Sequence, residues 1–170
     1  MAFQQWLAGE QITADRLASI SPVWADWTPT WTTATGSATP SFGDATITAR
    51  YAQSADIVFW RLEITFGSTT NFGTAPTVSD NWRFSMPVTA ASIALVAGSG
   101  EIGDATASVG SRLRVRCRLT TTTTVELETS SGRVDATALT TPNWGIVDSV
   151  SPWTWATSDF IRVSGFYEAA

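Results

Sequence analysis

Four glutamates, Glu63, Glu126, Glu128 and Glu168, fall on segments whose apolar residues alternate as in strands. Two carboxylates facing each other across a cleft suffice for glycoside hydrolysis. Nothing in their spacing marks any two as neighbours, and each has an ion-pair or solvated-face role open to it. Other chemistry is excluded by count. The chain has no histidine and no lysine, so the usual Ser-His-Asp and Cys-His arrangements lack their base. Cys117 is the single cysteine, which rules out an intrachain disulfide and a Cys/His zinc site. Asp44, Asp104 and Asp159 lie in turns, yet none has the alternating acid spacing of a calcium loop. The sequence predicts no catalytic residue, no cofactor and no metal.

Residues Gly98 to Gly103, "GSGEIG", match the dinucleotide-binding fingerprint and follow an apolar run. That motif must open a helix long enough to cross a sheet. Here an alternating segment follows almost at once, so the expected reading is a glycine-rich hairpin turn.

That alternating segment is "RLRVRCRL". On a strand, Arg112, Arg114, Arg116 and Arg118 point one way and Leu113, Val115, Cys117 and Leu119 the other. In "TVELE", Val125 and Leu127 alternate with Glu126 and Glu128. A hairpin that sets Leu119 opposite Val125 places Cys117 opposite Leu127, Arg118 opposite Glu126 and Arg116 opposite Glu128. A slip by one residue would bury the charges, so the register is well specified. Arg116, Arg118, Glu126 and Glu128 are thus expected to form a surface ion-pair ladder, each pair contributing about 0.2 to 1 kcal/mol. Arg112 and Arg114 are left over, to meet a partner subunit's carboxylates or a phosphate. Cys117 falls on the apolar side as a small core residue.

The chain has 170 residues, enough for one domain with a sizeable core. Hydrophobic residues make up 44% and charged residues 15%, below the roughly 25% usual in soluble domains. Nine tryptophans and eight phenylalanines supply the interior. A net charge of −5 argues against a general hold on nucleic acid, which needs excess positive charge. The N-terminus lacks the pattern of a secretion signal, and the longest apolar stretch is too short to span a bilayer. The expectation is a soluble protein made in a cytoplasm, with no nucleic-acid partner and no membrane insertion.

After Pro22 the pattern has period two. In "IVFWRLEITF", Val58, Trp60, Leu62, Ile64 and Phe66 share one face, and Ile57, Phe59, Arg61, Glu63 and Thr65 the other. Seven or eight such strands, separated by Gly/Ser/Thr/Pro turns that include "TTPNWG", predict an all-β chain. Their number indicates a jelly-roll-like antiparallel β-sandwich over 23–170. Residues 1–22 differ. Thr13 can cap a short helix carrying Ala14, Leu17 and Ile20, which Pro22 stops. Phe3, Trp6, Leu7, Leu17 and Ile20 are too apolar for a free tail. They make this an assembly arm that packs on its own domain or docks on a neighbour.

Trp24, Trp27 and Trp31, with Trp153 and Trp155, cluster on polar, turn-rich segments. The plainer reading is that they cover the core or a subunit interface, and their polar, turn-rich setting favours the interface; the sharper reading is a platform that stacks on sugar rings.

Several short features occur together: Gly9, Ile12, Thr13, Ala14 and Leu17 as "G-x-x-[IL]-T-A-x-x-L"; "WTPTW" from Trp27 to Trp31 as an opening strand; a strand end at Arg83 or Phe84, Met86 and Pro87; and a closing "YEA". In this order they resemble surface proteins of tailed bacteriophages of the small tail-fibre, minor tail and capsid-decoration type, particularly from phages of actinobacteria. The resemblance implies a non-enzymatic structural protein on the virion surface, made in the host cytoplasm. Its partners would be copies of itself in a homotrimer, other capsid or tail proteins, and a host cell-surface glycan. The alternative expectation is a carbohydrate-binding module without a virion role.

Overall fold

The computed structural model describes residues 9, 11, 13 and 14, then 21–93, 95–106, 112–130 and 144–170. The arm residues Phe3, Trp6, Leu7, Leu17 and Ile20 lie outside the described residues, as does most of the helix expected after Thr13. Among the described residues ten strands follow in chain order: β1 (Ala25–Asp26), β2 (Trp31–Thr33), β3 (Thr46–Ser54), β4 (Ile57–Thr65), β5 (Trp82–Ser85), β6 (Val96–Gly103), β7 (Arg112–Leu119), β8 (Thr124–Ser130), β9 (Trp144–Ile146) and β10 (Phe160–Glu168).

All pairings are antiparallel. They join one continuous sheet in the order β1-β3-β4-β10-β6-β7-β8-β5-β2, with β9 also on β8. The sheet curls into a half-barrel. The all-β expectation holds at this level. The hydrogen bonding runs unbroken from β1 to β2, whereas a jelly roll divides its strands between two facing sheets.

The curl follows from alternation. On β4 the side chains of Val58, Trp60, Leu62 and Ile64 are buried, as the period-two pattern requires, and those of Ile57, Phe59, Glu63 and Thr65 are exposed. Ile161, Val163 and Tyr167 on β10 and Val115, Cys117 and Leu119 on β7 bury the same face. Rings from distant parts of the path meet inside it. Trp82 of β5 lies edge-on to Trp31 of β2 at 4.7 Å, and Phe66, just past β4, stacks on Trp31 at 5.5 Å. The ends of the sheet are therefore drawn together over an aromatic core. Cys117 is fully buried there, and burial pushes its thiol up from the ordinary value.

Two expected turns are strands. Gly98 to Gly103 lie within β6, and Trp144–Ile146 form β9. The glycines of β6 serve close approach. A Cβ on Gly100 would collide with the Arg162 carbonyl oxygen, and one on Gly165 of β10 with that of Ala97. A bulge lies between Val96 and Gly98. There the Ala97 carbonyl accepts the buried indole N–H of Trp60 at 3.0 Å. Trp60 sits on β4, opposite Gly165 and two strands from Ala97. A side chain at position 165 would stand in the path of that indole.

One loop pair has a pH-dependent clasp. The Asp44 carboxylate accepts hydrogen bonds from the backbone N–H and hydroxyl of both Ser68 and Thr69, at 2.7 to 3.2 Å. These bonds, those of Thr69 foremost, hold its carboxyl down at about 2 against an ordinary 3.8. A depressed folded value means that the contribution is complete above about pH 4 and lost as pH falls toward 2. Protection of the Thr69 amide, its exchange relative to an unstructured chain, is expected to fall over that window in the wild type. In Asp44→Ala protection should be low at every pH, and unchanged protection in the variant would refute the clasp.

Among the described residues no helix is long and apolar enough to cross a membrane.

Candidate interaction face

Strands β4, β10, β6 and β7 lie side by side, and their outer face is solvent-facing. Phe59 of β4 stands opposite Phe166 of β10, with ring centroids 6.4 Å apart. Phe166 is 63% exposed, Phe59 40%, and Val96 at the start of β6 60%. Val96 and Phe166 line the same shallow dip, and Ile57 extends the patch along β4. Four large apolar side chains thus stand in water on regular strands, a position that soluble domains ordinarily give to polar residues.

Beside this patch the face is charged. Register places Glu63 (β4), Arg162 (β10), Glu101 (β6) and Arg114 (β7) in one row across the strands. Arg162 and Glu101 approach to 3.6 Å, and Arg61 and Glu63 to 3.7 Å. The Arg162 guanidinium lies over the Phe160 ring at 4.2 Å, and that of Arg112 at 5.8 Å. Among the described residues no carboxylate is within ion-pair distance of Arg114, which is exposed. Between patch and row, Ser99 and Ser164 form the floor of connected dips whose walls include Arg61, Arg114, Arg116 and Arg162.

The arginine comb pairs in the expected register: Leu119 opposite Val125, Arg118 opposite Glu126, Cys117 opposite Leu127 and Arg116 opposite Glu128. The ion pairs themselves differ. Glu128 takes both Arg116 and Arg118, the latter at 3.1 Å. Glu126 turns to Arg83 of β5 at 2.7 Å. Two-stranded reasoning could not include β5, which supplies a cation on the other side of β8. The ladder is also not a surface one on its acidic side, since Glu126 and Glu128 are buried beneath half-exposed guanidinium groups.

The tryptophans divide. Trp31 and Trp155 belong to the core, where Trp155 lies 4.9 Å from Trp82 and donates its indole N–H to the Asp148 carbonyl at 2.8 Å. Neither can form an exposed interface or sugar platform, because the curled sheet needs large rings to fill its interior. Trp27 and Trp153 are half-buried against the core, and Trp24 alone of the five is exposed. The exposed rings of the sheet face, Phe59 and Phe166, are not among the residues that sequence clustering singles out.

The acids in the turns act as staples. Asp159 accepts the N–H groups of Ala105 and Ala156, and Asp104 accepts the N–H and hydroxyl of Thr106. Asp80 accepts the Thr35 hydroxyl and the N–H and hydroxyl of Thr77, which hold its carboxyl below the usual range. Asp148 nearby is shifted the other way: burial raises it, the N–H groups of Val150 and Ser151 oppose this, and the charge of Asp80 adds to it. Two carboxyls displaced in opposite directions are what acid–base catalysis would use. These two are 3% and 2% exposed, so no substrate reaches them in this conformation. Among the described residues no three acidic or cysteine side chains gather as a metal site.

No protein-family model, no curated protein and no solved structure matches this chain.

Proposed function

We propose that this chain is a non-enzymatic structural protein of a tailed-bacteriophage virion surface, of the tail-fibre, minor tail or capsid-decoration type. It works by adhesion. Copies assemble as a homo-oligomer, a trimer in the arrangement that the sequence resemblance implies. The N-terminal arm, through Phe3, Trp6, Leu7, Leu17 and Ile20, ties the oligomer to capsid or tail, and the β-domain is presented to host glycans. In fold terms we take the curled sheet as jelly-roll-like, because the rings of β2 and β5 pack against Phe66 beyond β4 across a shared core.

The observation that carries this reading is the exposed apolar group Ile57, Phe59, Val96 and Phe166 on a regular sheet face. Apolar area left in water is unfavourable by roughly 25 cal/mol per Å². A covered surface explains why a chain with only 15% charged residues keeps such a group outside. The expected result of sedimentation equilibrium on the full chain is a mass that is a multiple of 18.2 kDa, steady over a wide range of dilution. A single 18.2 kDa species would overturn the homo-oligomer.

A further inference from the structure

The homo-oligomer just proposed leaves open which surface joins the copies. We propose that it is the outer face of β4, β10, β6 and β7, with Phe59 and Phe166 at its centre and Arg114 of one copy paired with Glu63 of the next. The inference rests on the oligomeric part of the proposed function and adds the contact to it.

The charged row carries the argument. Across the four strands it reads Glu63, Arg162, Glu101, Arg114, alternating in sign. Arg162 and Glu101 approach to 3.6 Å and Arg61 and Glu63 to 3.7 Å, both long contacts between half-exposed groups. Arg114 stands opposite Glu101 in register, yet no carboxylate among the described residues is in ion-pair contact with it. Three strand spacings separate Glu63 from Arg114, about 14 Å, so they cannot meet within one copy. The row therefore ends in an acid along β4 and, along β7, in a cation without an ion pair. A rotation that brings β7 of one copy beside β4 of the next sets that cation against that acid, while Arg116 in the adjoining row keeps Glu128 of its own copy. A closed ring of three does this, and so does a two-fold axis parallel to the strands.

The apolar patch lies beside that row, on the same strands. Phe59, Phe166, Val96 and Ile57 supply the dry centre, and the row supplies a polar rim that fixes orientation. The dips over Ser99 and Ser164 leave room for a neighbour's side chains. The row carries as many carboxylates as guanidinium groups, a pattern that a second copy bearing the same row can complement.

The test is charge reversal read by sedimentation, with circular dichroism confirming the fold of each variant. Arg114 and Glu63 are exposed, so folding survives their substitution. Arg114→Glu and Glu63→Arg, made singly, are each expected to weaken association about tenfold or more, because each places like charges together at every contact. Combined in one chain, the two reversals restore association to near the wild-type value. Phe166→Glu is expected to leave a folded monomer. A wild type that is itself monomeric overturns both this contact and the oligomer. A wild type that associates, with reversals and Phe166→Glu that change nothing, overturns the contact alone and leaves the oligomer standing on another surface.

Discussion

Trp82→Ala is expected to remove about 3–5 kcal/mol of stability. The native state of such a domain stands only about 5–15 kcal/mol above the unfolded chain, so the variant would be marginal at room temperature. Trp82 is 1% exposed, and its neighbours come from separate parts of the fold. They are Trp31 of β2 at 4.7 Å, Trp155 before β10 at 4.9 Å, Phe66 after β4 at 5.9 Å and Phe72 in the following loop at 6.1 Å. Each is anchored by its own strand or loop, so they cannot close together over the space that a lost indole leaves. The cavity term therefore adds to the lost transfer energy. Chemical denaturation followed by far-UV circular dichroism should show a large fall in midpoint with an unchanged slope. Trp24→Ala, at an exposed position, should lie within about 0.5 kcal/mol of the wild type. A loss below about 1 kcal/mol for Trp82→Ala would mean that the aromatic cluster is not what draws the sheet ends together.

How much of this was legible in the sequence depends on the range of the interaction. Period-two alternation on Ile57 to Thr65 identifies the buried and exposed faces of β4 correctly, because burial of every second side chain is a local consequence of strand geometry. The β7–β8 register is equally legible, since a slip by one residue would bury charge on an apolar face. Gly98 to Gly103 mislead for a physical reason. Glycine lacks strand propensity and marks turns, yet here it is required by the close approach of β10, a strand from the far end of the chain. Trp31 and Trp155 mislead in a similar way. Polar neighbours in sequence say nothing about a core assembled by curling.

The candidate face shows the same division. Phe59 is visible in the sequence as an apolar residue on the polar side of its strand. Its meaning depends on Phe166 standing beside it, and that depends on β4 pairing with β10, which no local pattern announces. The opposite ends of the charged row likewise need the strand order β4-β10-β6-β7 before they can be seen. Arg114 is read from sequence as a leftover cation; only the sheet order supplies its distance from Glu63.

The second large effect is expected from the pair Arg116→Met and Arg118→Met made together. Glu128 is 4% exposed, and these two guanidinium groups are its partners. A carboxylate out of water is tolerated only while paired, and removing its cations leaves a buried charge whose desolvation nothing offsets. The double variant should lose about 3–5 kcal/mol near neutral pH. Adding Glu128→Met to the double variant should recover most of the stability at neutral pH, since an apolar group of similar size needs no cation. The order of midpoints at pH 7 is then wild type, triple variant and double variant. A double variant whose loss is below about 1 kcal/mol would show that Glu128 is held by something other than these two arginines.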